Sequence, residues 1–319
     1  MKDDRLFVFA GSGTRYTLRP FAEYIRKQGH SVIELDTEAS DCISRIKEIP
    51  GGSIIYITSD HLGLDKGNYG LLIPGQFSVA NLEIMEELRP KKSILYTHDL
   101  GKIVGVWSEQ RYLDLFSLIL FPFVCNDFYF AKRRFNSVEE IGWIKKKENF
   151  SIKRIPTENK KIVYFPSNMM SSLERYGIEG YADWIEHTID KSISIKPSSF
   201  IKMRPVSEIL KERGYTILDT TLTPYDIMET SDLIITNGCS SVVYEAAYSG
   251  CPVVSILDGF DSDKQYIMEK PQLRWVYSLY PEDVMLFVNR VRKGELELDN
   301  GKDIIKPFDF EKAYQLVSG

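Results

Sequence analysis

The sequence predicts an α/β protein made of two parallel-sheet domains joined by a polar linker. Three observations carry that prediction. The chain has 319 residues, more than one hydrophobic core usually spans, so two domains of roughly 150 residues each are expected. Short continuous apolar runs alternate with helical periodicity along most of the chain, the pattern of strands buried on both faces by crossover helices. The alternation lapses between Lys145 and Lys161, in a lysine-rich stretch that contains Pro156 and reads as the linker. The expected domains are therefore residues 1–150 and 160–319.

In the first domain, Leu6–Ala10 (LFVFA) reads as a buried strand and Gly11-Ser12-Gly13-Thr14 as the turn into a helix over Leu18–Gln28. Strands follow at Ser31–Leu35, Ser53–Thr58 and Ser93–Tyr96, with a helix at Val79–Leu88. Tyr112–Leu120 passes from helix into a strand ending in LILF, Asp127–Arg134 is helical, and Ser137–Ile141 is a last strand. In the second domain, strands are expected at Ile162–Phe165, Phe200–Met203, Thr216–Leu218, Leu233–Thr236 and Val253–Leu257. Helices are expected around Ile178–Asp190 and over Val206–Arg213, Pro224–Glu229, Ser241–Ser249 and Pro281–Val291. A terminal helix near Phe310–Leu316 is an element that can return to the first domain.

Composition excludes several functions. A net charge of -5 argues against broad binding to nucleic acid, which needs a basic face to displace counterions. The four cysteines, Cys42, Cys125, Cys239 and Cys251, form no CxxC pair and no zinc-like spacing with the four histidines, so free thiols and no metal site are expected. The first residues run into an apolar strand without the apolar h-region of a secretory signal. The longest apolar run, Leu115–Val124, is too short to span a bilayer. A cytoplasmic protein is the expectation.

One segment has a readable chemical logic. In SDLIITNGCSSVVYEAAYSGCPVVSI (Ser231–Ile256), Leu233–Thr236 is a strand, and Val242, Val243, Ala246 and Ala247 repeat at helical spacing. Between them lie Asn237, Gly238, Cys239, Ser240 and Ser241: a glycine for a tight turn, then two hydroxyls at a helix start. A helix N-terminus has unpaired N–H groups and partial positive charge, so it binds phosphate. Glu245 falls one turn beyond Ser241 on the same face, where a carboxylate can accept hydrogen bonds from ribose hydroxyls. The serines also suit simple helix capping, and both readings stand at this point.

Asp232–Val254 resembles the C-terminal nucleotide-binding region of GT-B glycosyltransferases. Within that group it is most similar to the CDP-glycerol glycerophosphotransferases of teichoic acid synthesis and related capsule-polymer transferases, whose pattern runs strand, T-D-x-S-S, helix with an acid, G-x-P-V. Here it is carried by Thr236-Asn237-Gly238-Cys239-Ser240-Ser241, Glu245 and Gly250-Cys251-Pro252-Val253, with Asn237 in place of the family's aspartate and one residue inserted before the serines. The resemblance implies a GT-B fold, two Rossmann-like domains facing each other across a cleft.

Supporting matches are degenerate. Lys202-Met203-Arg204-Pro205 stands where the family has a strand-ending K-x-H-P, with Arg204 in the histidine's place. On one side of a strand, Lys202 and Arg204 would neutralise a leaving diphosphate; as a solvated surface pair they would do nothing. His98-Asp99-Leu100-Gly101 resembles the family's post-strand H-G motif, so His98 is a candidate base for an acceptor hydroxyl and Asp99 its rival. Gly11, Ser12, Gly13 and Thr14 fit neither a dinucleotide fingerprint nor a phosphate-binding P-loop. They face acceptor or donor phosphates in the GT-B reading and form a tight turn otherwise. Ser167, in Pro166-Ser167-Asn168, matches the loop that borders the donor.

The implied activity is transfer of a glycosyl or glycerol-phosphate group from a CDP- or UDP-linked donor to a hydroxyl acceptor in cell-surface polymer or glycan synthesis. The partners are a nucleotide-activated donor and a glycan or lipid-linked acceptor, with peripheral contact at the inner membrane face as a corollary. No Asp-x-Asp metal motif is present, so no metal or resident cofactor is expected. Two alternatives stay open. UDP-N-acetylglucosamine 2-epimerases share the fold, and Asp99, Glu86 or Glu87 would then supply acid/base chemistry. The other is a non-catalytic nucleotide- or sugar-binding relic.

Overall fold

The computed structural model describes residues 5–11, 17–37, 39, 41–59, 81–97, 114–124, 126–135, 137–145, 160–167, 169–197, 203–237, 240–257, 275–301 and 305–319. It divides into two compact units, Met1–Lys145 together with Lys306–Gly319, and Lys146–Ile305.

The first unit contains strands β1 (Arg5–Ala10), β2 (Ser31–Leu35), β3 (Ser53–Thr58), β4 (Lys92–Tyr96), β5 (Leu118–Phe121) and β6 (Val138–Glu140). They run parallel in the order β2-β1-β3-β4-β5-β6. Its helices are α1 (Arg19–Lys27), α2 (Cys42–Lys47), α3 (Asn81–Leu88) and α4 (Asn126–Arg134). The inner strands are apolar on both sides because helices cover both faces of a parallel sheet. Phe7, Val8, Phe9 and Ala10 of β1 are all buried, as are Ile94, Leu95 and Tyr96 of β4. Helix α1 carries Pro20 in its first turn, where a missing N–H costs nothing, and buries Phe21, Ala22 and Ile25 against the sheet.

The second unit contains β7 (Ile162–Phe165), β8 (Ser194–Ile195), β9 (Leu233–Asn237), β10 (Val253–Ile256) and β11 (Tyr277–Leu279). These are parallel in the order β11-β10-β9-β7-β8. Helices α5 (Met169–Thr188), α6 (Met203–Glu212), α7 (Pro224–Met228), α8 (Ser241–Ser249) and α9 (Pro281–Arg292) connect them. The chain leaves β7 toward β8 on one side and returns to place β9 on the other. That reversal makes the carboxyl ends of β7 and β9 a topological switch point, the place where the connecting loops part and open α/β sheets bind ligands.

The last helix, α10 (Phe310–Ser318), packs within the first unit. Asp309 caps it, its carboxylate accepting from the Lys312 backbone at 2.9 Å. Phe310 stacks on Tyr24 of α1 at 5.3 Å, Tyr24 donates to Glu311 at 2.6 Å, and His30 meets the Tyr314 hydroxyl at 2.7 Å. At its far end Lys92 donates to the Leu316 carbonyl at 2.6 Å and Arg5 to the Ser318 carbonyl. Two cations thus meet the negative end of the helix dipole. The buried Tyr96 hydroxyl donates to the Gly142 carbonyl and accepts from the Ile144 N–H, each at 3.1 Å. Burial holds that phenol well above its ordinary pKa.

Four local expectations need correction. The strand expected at Thr216–Leu218 is only an isolated bridge between Ile217 and Ile195. The strand placed at Phe200–Met203 is not formed by Met203, which opens helix α6; the strand beside β7 is the two-residue Ser194–Ile195. Pro205 sits in the first turn of α6, where helices accept proline. Helix α5 starts at Met169 rather than near Ile178, and Gly177 at φ 69°, ψ -177° kinks it into two segments. The short helix α2 has no counterpart among the sequence-based elements. The linker expected between Lys145 and Lys161 lies mostly outside the described residues, which omit 146–159.

Gly142 joins the two parts of the first unit. Its φ is +85°, and a Cβ there would lie 2.1 Å from the Pro307 carbonyl oxygen. Trp143 N–H donates to Lys306 and Asp309 N–H to Ile141, at 2.9 and 2.8 Å. Gly142→Ala should therefore lose at least about 1–2 kcal/mol from the left-handed backbone alone, with the backbone clash adding to it. Gly52→Ala, where a Cβ meets nothing within 4 Å, is the control. Urea denaturation of both variants checks this, and equal midpoints would contradict the packing described.

Candidate nucleotide-diphosphate site

At the switch point β7 and β9 pair in register, Ile162 with Leu233 through Phe165 with Thr236. Both strands are short and wholly buried; β9 ends on the polar pair Thr236 and Asn237, and Ser167 stands two residues after β7. The Thr236 hydroxyl donates to the Phe165 carbonyl at 2.9 Å and lies 3.3 Å from the Ser167 hydroxyl.

Asn237 is the last residue of β9 and is 0% exposed. Its Oδ1 accepts from the Tyr164 hydroxyl at 2.9 Å and from the Ser167 N–H at 2.7 Å, while Nδ2 donates to the Ser167 carbonyl at 2.8 Å. One amide thus satisfies both backbone groups of Ser167 and ties the loop after β7 to the end of β9. The sequence leads one to expect Asn237 to bind phosphate; in the structure its buried amide braces the Ser167 loop. An ionised aspartate could not replace it, since the Ser167 carbonyl needs a donor.

Beyond Asn237 the chain enters α8. Ser240 is its N-cap, at φ -116° and ψ 140°, with the hydroxyl oxygen accepting from the Val242 N–H at 3.3 Å. The capping alternative weighed from the sequence is therefore realised by Ser240, which keeps its own O–H as a donor. Ser241 is the first helical residue and half-buried. Val243, Ala246 and Ala247 are buried; the two alanines leave little bulk between helix and neighbouring elements. Gly250, left-handed at φ 63°, ends the helix, with its N–H on Ala247 and that of Cys251 on Ala246. Glu245, one turn past Ser241, is 3% exposed.

Ser167, Asn237, Ser240 and Ser241 thus follow the carboxyl ends of the central strands β7 and β9, and Glu245 lies one turn farther along α8. Arg204 is placed differently from expectation. It lies in the first turn of α6 rather than on a strand, its side chain 77% exposed and paired with Glu208 at 3.1 Å, because i and i+4 residues on a helix are neighbours. Gly11 follows β1 in the first unit, its N–H on the Leu35 carbonyl at 3.3 Å. Ser12, Gly13, Thr14, His98, Asp99, Lys202 and Gly238 lie outside the described residues.

A basic residue the sequence reading passed over is Lys196. It follows β8, the strand beside β7, its backbone N–H on the Tyr164 carbonyl at 2.8 Å. The side chain is 6% exposed, and its ammonium donates to the Pro197 and Thr220 carbonyls at 2.9 and 3.3 Å. Burial pushes its pKa down, while the Asp219 carboxylate pulls it back up. The signal was present in the alternation Ser192-Ile193-Ser194-Ile195 running into Lys196-Pro197.

The brace predicts a pH-dependent defect. Asn237→Asp removes the donor to Ser167 and should cost roughly 1–3 kcal/mol at neutral pH. Burial would raise the new carboxyl's folded pKa above its unfolded value. The penalty should therefore appear as pH rises through the unfolded pKa, be complete above the folded one, and shrink toward acid. Urea midpoints relative to the wild type at pH 4.5 and pH 8 measure it, and an equal deficit at both would contradict the brace.

No family model matches this chain, and no curated protein does. Solved structures do match it in fold. The glycosyltransferase SnogD from Streptomyces nogalater is 14% identical, covers 98% of each chain and has a TM-score of 0.51. An alpha-glucosyltransferase in complex with UDP and a 13-mer DNA is 11% identical, covering 99% of this chain and 100% of the other, at a TM-score of 0.51. The spinosyn rhamnosyltransferase SpnG is 11% identical, covering 99% and 95%, at 0.50. With two parallel-sheet α/β units and likeness over nearly the whole length, the chain has the GT-B fold.

Proposed function

We propose that this protein transfers a glycosyl group, or the related glycerol-phosphate group, from a nucleotide diphospho donor to a hydroxyl acceptor. The observation that carries the reading is the braced switch point of the second unit. Two serines open a nine-residue helix there, directly after the strand end that Asn237 locks to the Ser167 loop. Likeness to a fold whose solved examples include glycosyltransferases supports it, one of them holding UDP.

In this reading the hydroxyls of Ser240 and Ser241 and the positive end of α8 hold the donor's phosphates. Charge that builds on the leaving group, the nucleoside diphosphate in glycosyl transfer or the nucleoside monophosphate in glycerol-phosphate transfer, is stabilised by groups already in place, which lowers the barrier without reorganisation. Arg204 supplies a guanidinium whose exposed pairing with Glu208 is worth at most about 1 kcal/mol, so a diphosphate can displace it. Lys202 joins it, and Lys196 holds the end of β8 rather than contacting the donor. Glu245 is the ribose partner. His98, or Asp99 in its place, takes the acceptor proton. The sequence resemblance favours a CDP- or UDP-linked donor and a cell-surface polymer or glycan acceptor.

Thermal shifts with CDP, UDP and GDP and their sugar or glycerol conjugates test the site. Ligand at 100 times its Kd should add about 2.7 kcal/mol of stability. Combining Ser240→Ala with Ser241→Ala should weaken binding at least about 10-fold, a loss of about 1.4 kcal/mol. Losing the cap itself lowers the ligand-free stability by about 0.5–2 kcal/mol, so the ligand-induced rise is the quantity compared. An unchanged rise would sink the assignment. Epimer formation from a UDP-sugar without acceptor would replace transfer with sugar-nucleotide epimerisation. Binding without turnover across donors and acceptors would leave a non-catalytic binding protein.

A further inference from the structure

Helix α4 presents a surface that the donor site does not use. Phe128 and Ala131 turn inward, while Tyr129, Phe130, Lys132, Arg133 and Arg134 are exposed. Tyr129 is 57% and Phe130 38% exposed, the one adjacent pair among the six exposed large apolar side chains of the described residues. Spacing by four residues puts Arg133 beside Tyr129 and Arg134 beside Phe130. The Arg134 guanidinium lies 4.4 Å from the centre of the Phe130 ring.

None of the three cations pairs with a carboxylate among the described residues. The acids of the neighbouring strand β6 already have partners: Glu139 with Lys312 at 2.9 Å and Glu140 with Lys306 at 3.7 Å. On a chain of net charge -5, this face is a local positive patch interleaved with aromatic rings.

We propose that the α4 face docks on an anionic lipid surface. A soluble polyanion would match the cations but has no use for exposed rings, whereas the boundary between headgroups and acyl chains accepts both. The contact lies in the plane of the interface. Nine helical residues extend only about 13 Å, and no described helix is long and apolar enough to cross a membrane. The inference goes beyond the proposed transfer and needs no nucleotide, so either can fail without the other.

Vesicle sedimentation of the full chain tests it. Vesicles of phosphatidylcholine with 30% phosphatidylglycerol should be bound roughly 100-fold more tightly than phosphatidylcholine alone, from three cations near a negative surface, and 0.5 M salt should weaken this binding. Arg133→Glu with Arg134→Glu, and separately Tyr129→Ser with Phe130→Ser, should each reduce binding at least about 10-fold, with circular dichroism confirming the fold. Because the serine pair could perturb the helix, Tyr129→Trp gives a second reading: quenching of the introduced indole by brominated acyl chains, relative to the wild type, is expected. No preference for anionic vesicles would overturn the proposal. So would binding lost only with the charge pair and an unquenched indole, which would point to a soluble polyanion instead.

Discussion

Where β7 and β9 end, the backbone must do two incompatible things. The strands are paired in register up to Phe165 and Thr236, yet the chains leaving them head for different helices. Backbone groups freed at such a divergence lose their sheet partners while still close to the core, and an unmet buried group is costly. Asn237 resolves this by standing in for the missing strand neighbour: its amide satisfies both the N–H and the carbonyl of Ser167 and receives the Tyr164 hydroxyl. That side chain fixes the end of β9, three residues before Ser240.

The chemistry then follows from modest effects acting together. Ser240 caps the helix through its oxygen and still has a proton to give, so structural and ligand-binding roles do not compete. A helix N-terminus favours an anion by roughly 0.3–1 kcal/mol when exposed and more when partly buried, too little alone to hold a nucleotide. Two hydroxyls and a nearby cation make up the remainder in the proposed site. Tight backbone packing is what keeps them there: Ala246 and Ala247 are fully buried, and Gly250 turns the chain straight into β10. The first unit uses the same logic at a different place, with Gly142 admitting the Lys306–Asp309 segment against Trp143.

Much of this fold was legible in the sequence because parallel strands covered on both faces must be apolar throughout. LFVFA, SIIYIT, LILF and LIIT announce themselves on that ground, and the small-residue helix after Ser240 has an N-cap and a glycine stop at its ends. What escaped has physical causes. Strand β8 spans two residues, Ser194–Ile195, too few for periodicity to register, so the pattern points to Phe200–Met203 instead and leaves Lys196 unmarked. Gly177 kinks α5 into two segments, and a glycine inside a helical pattern reads as a helix boundary. Asn237 was legible as a loop residue near a phosphate, but nothing local reveals that Tyr164 and Ser167, about 70 positions away, would take up its amide. Long-range pairing of this kind belongs to topology.

A structure of the protein crystallised with UDP or CDP tests the central claim most directly. The account predicts the diphosphate within hydrogen-bonding distance of Ser240 and Ser241 at the start of α8, with the Asn237–Ser167 hydrogen bonds intact. A nucleotide bound elsewhere, with the Ser240 hydroxyl still facing only the Val242 N–H, would contradict it.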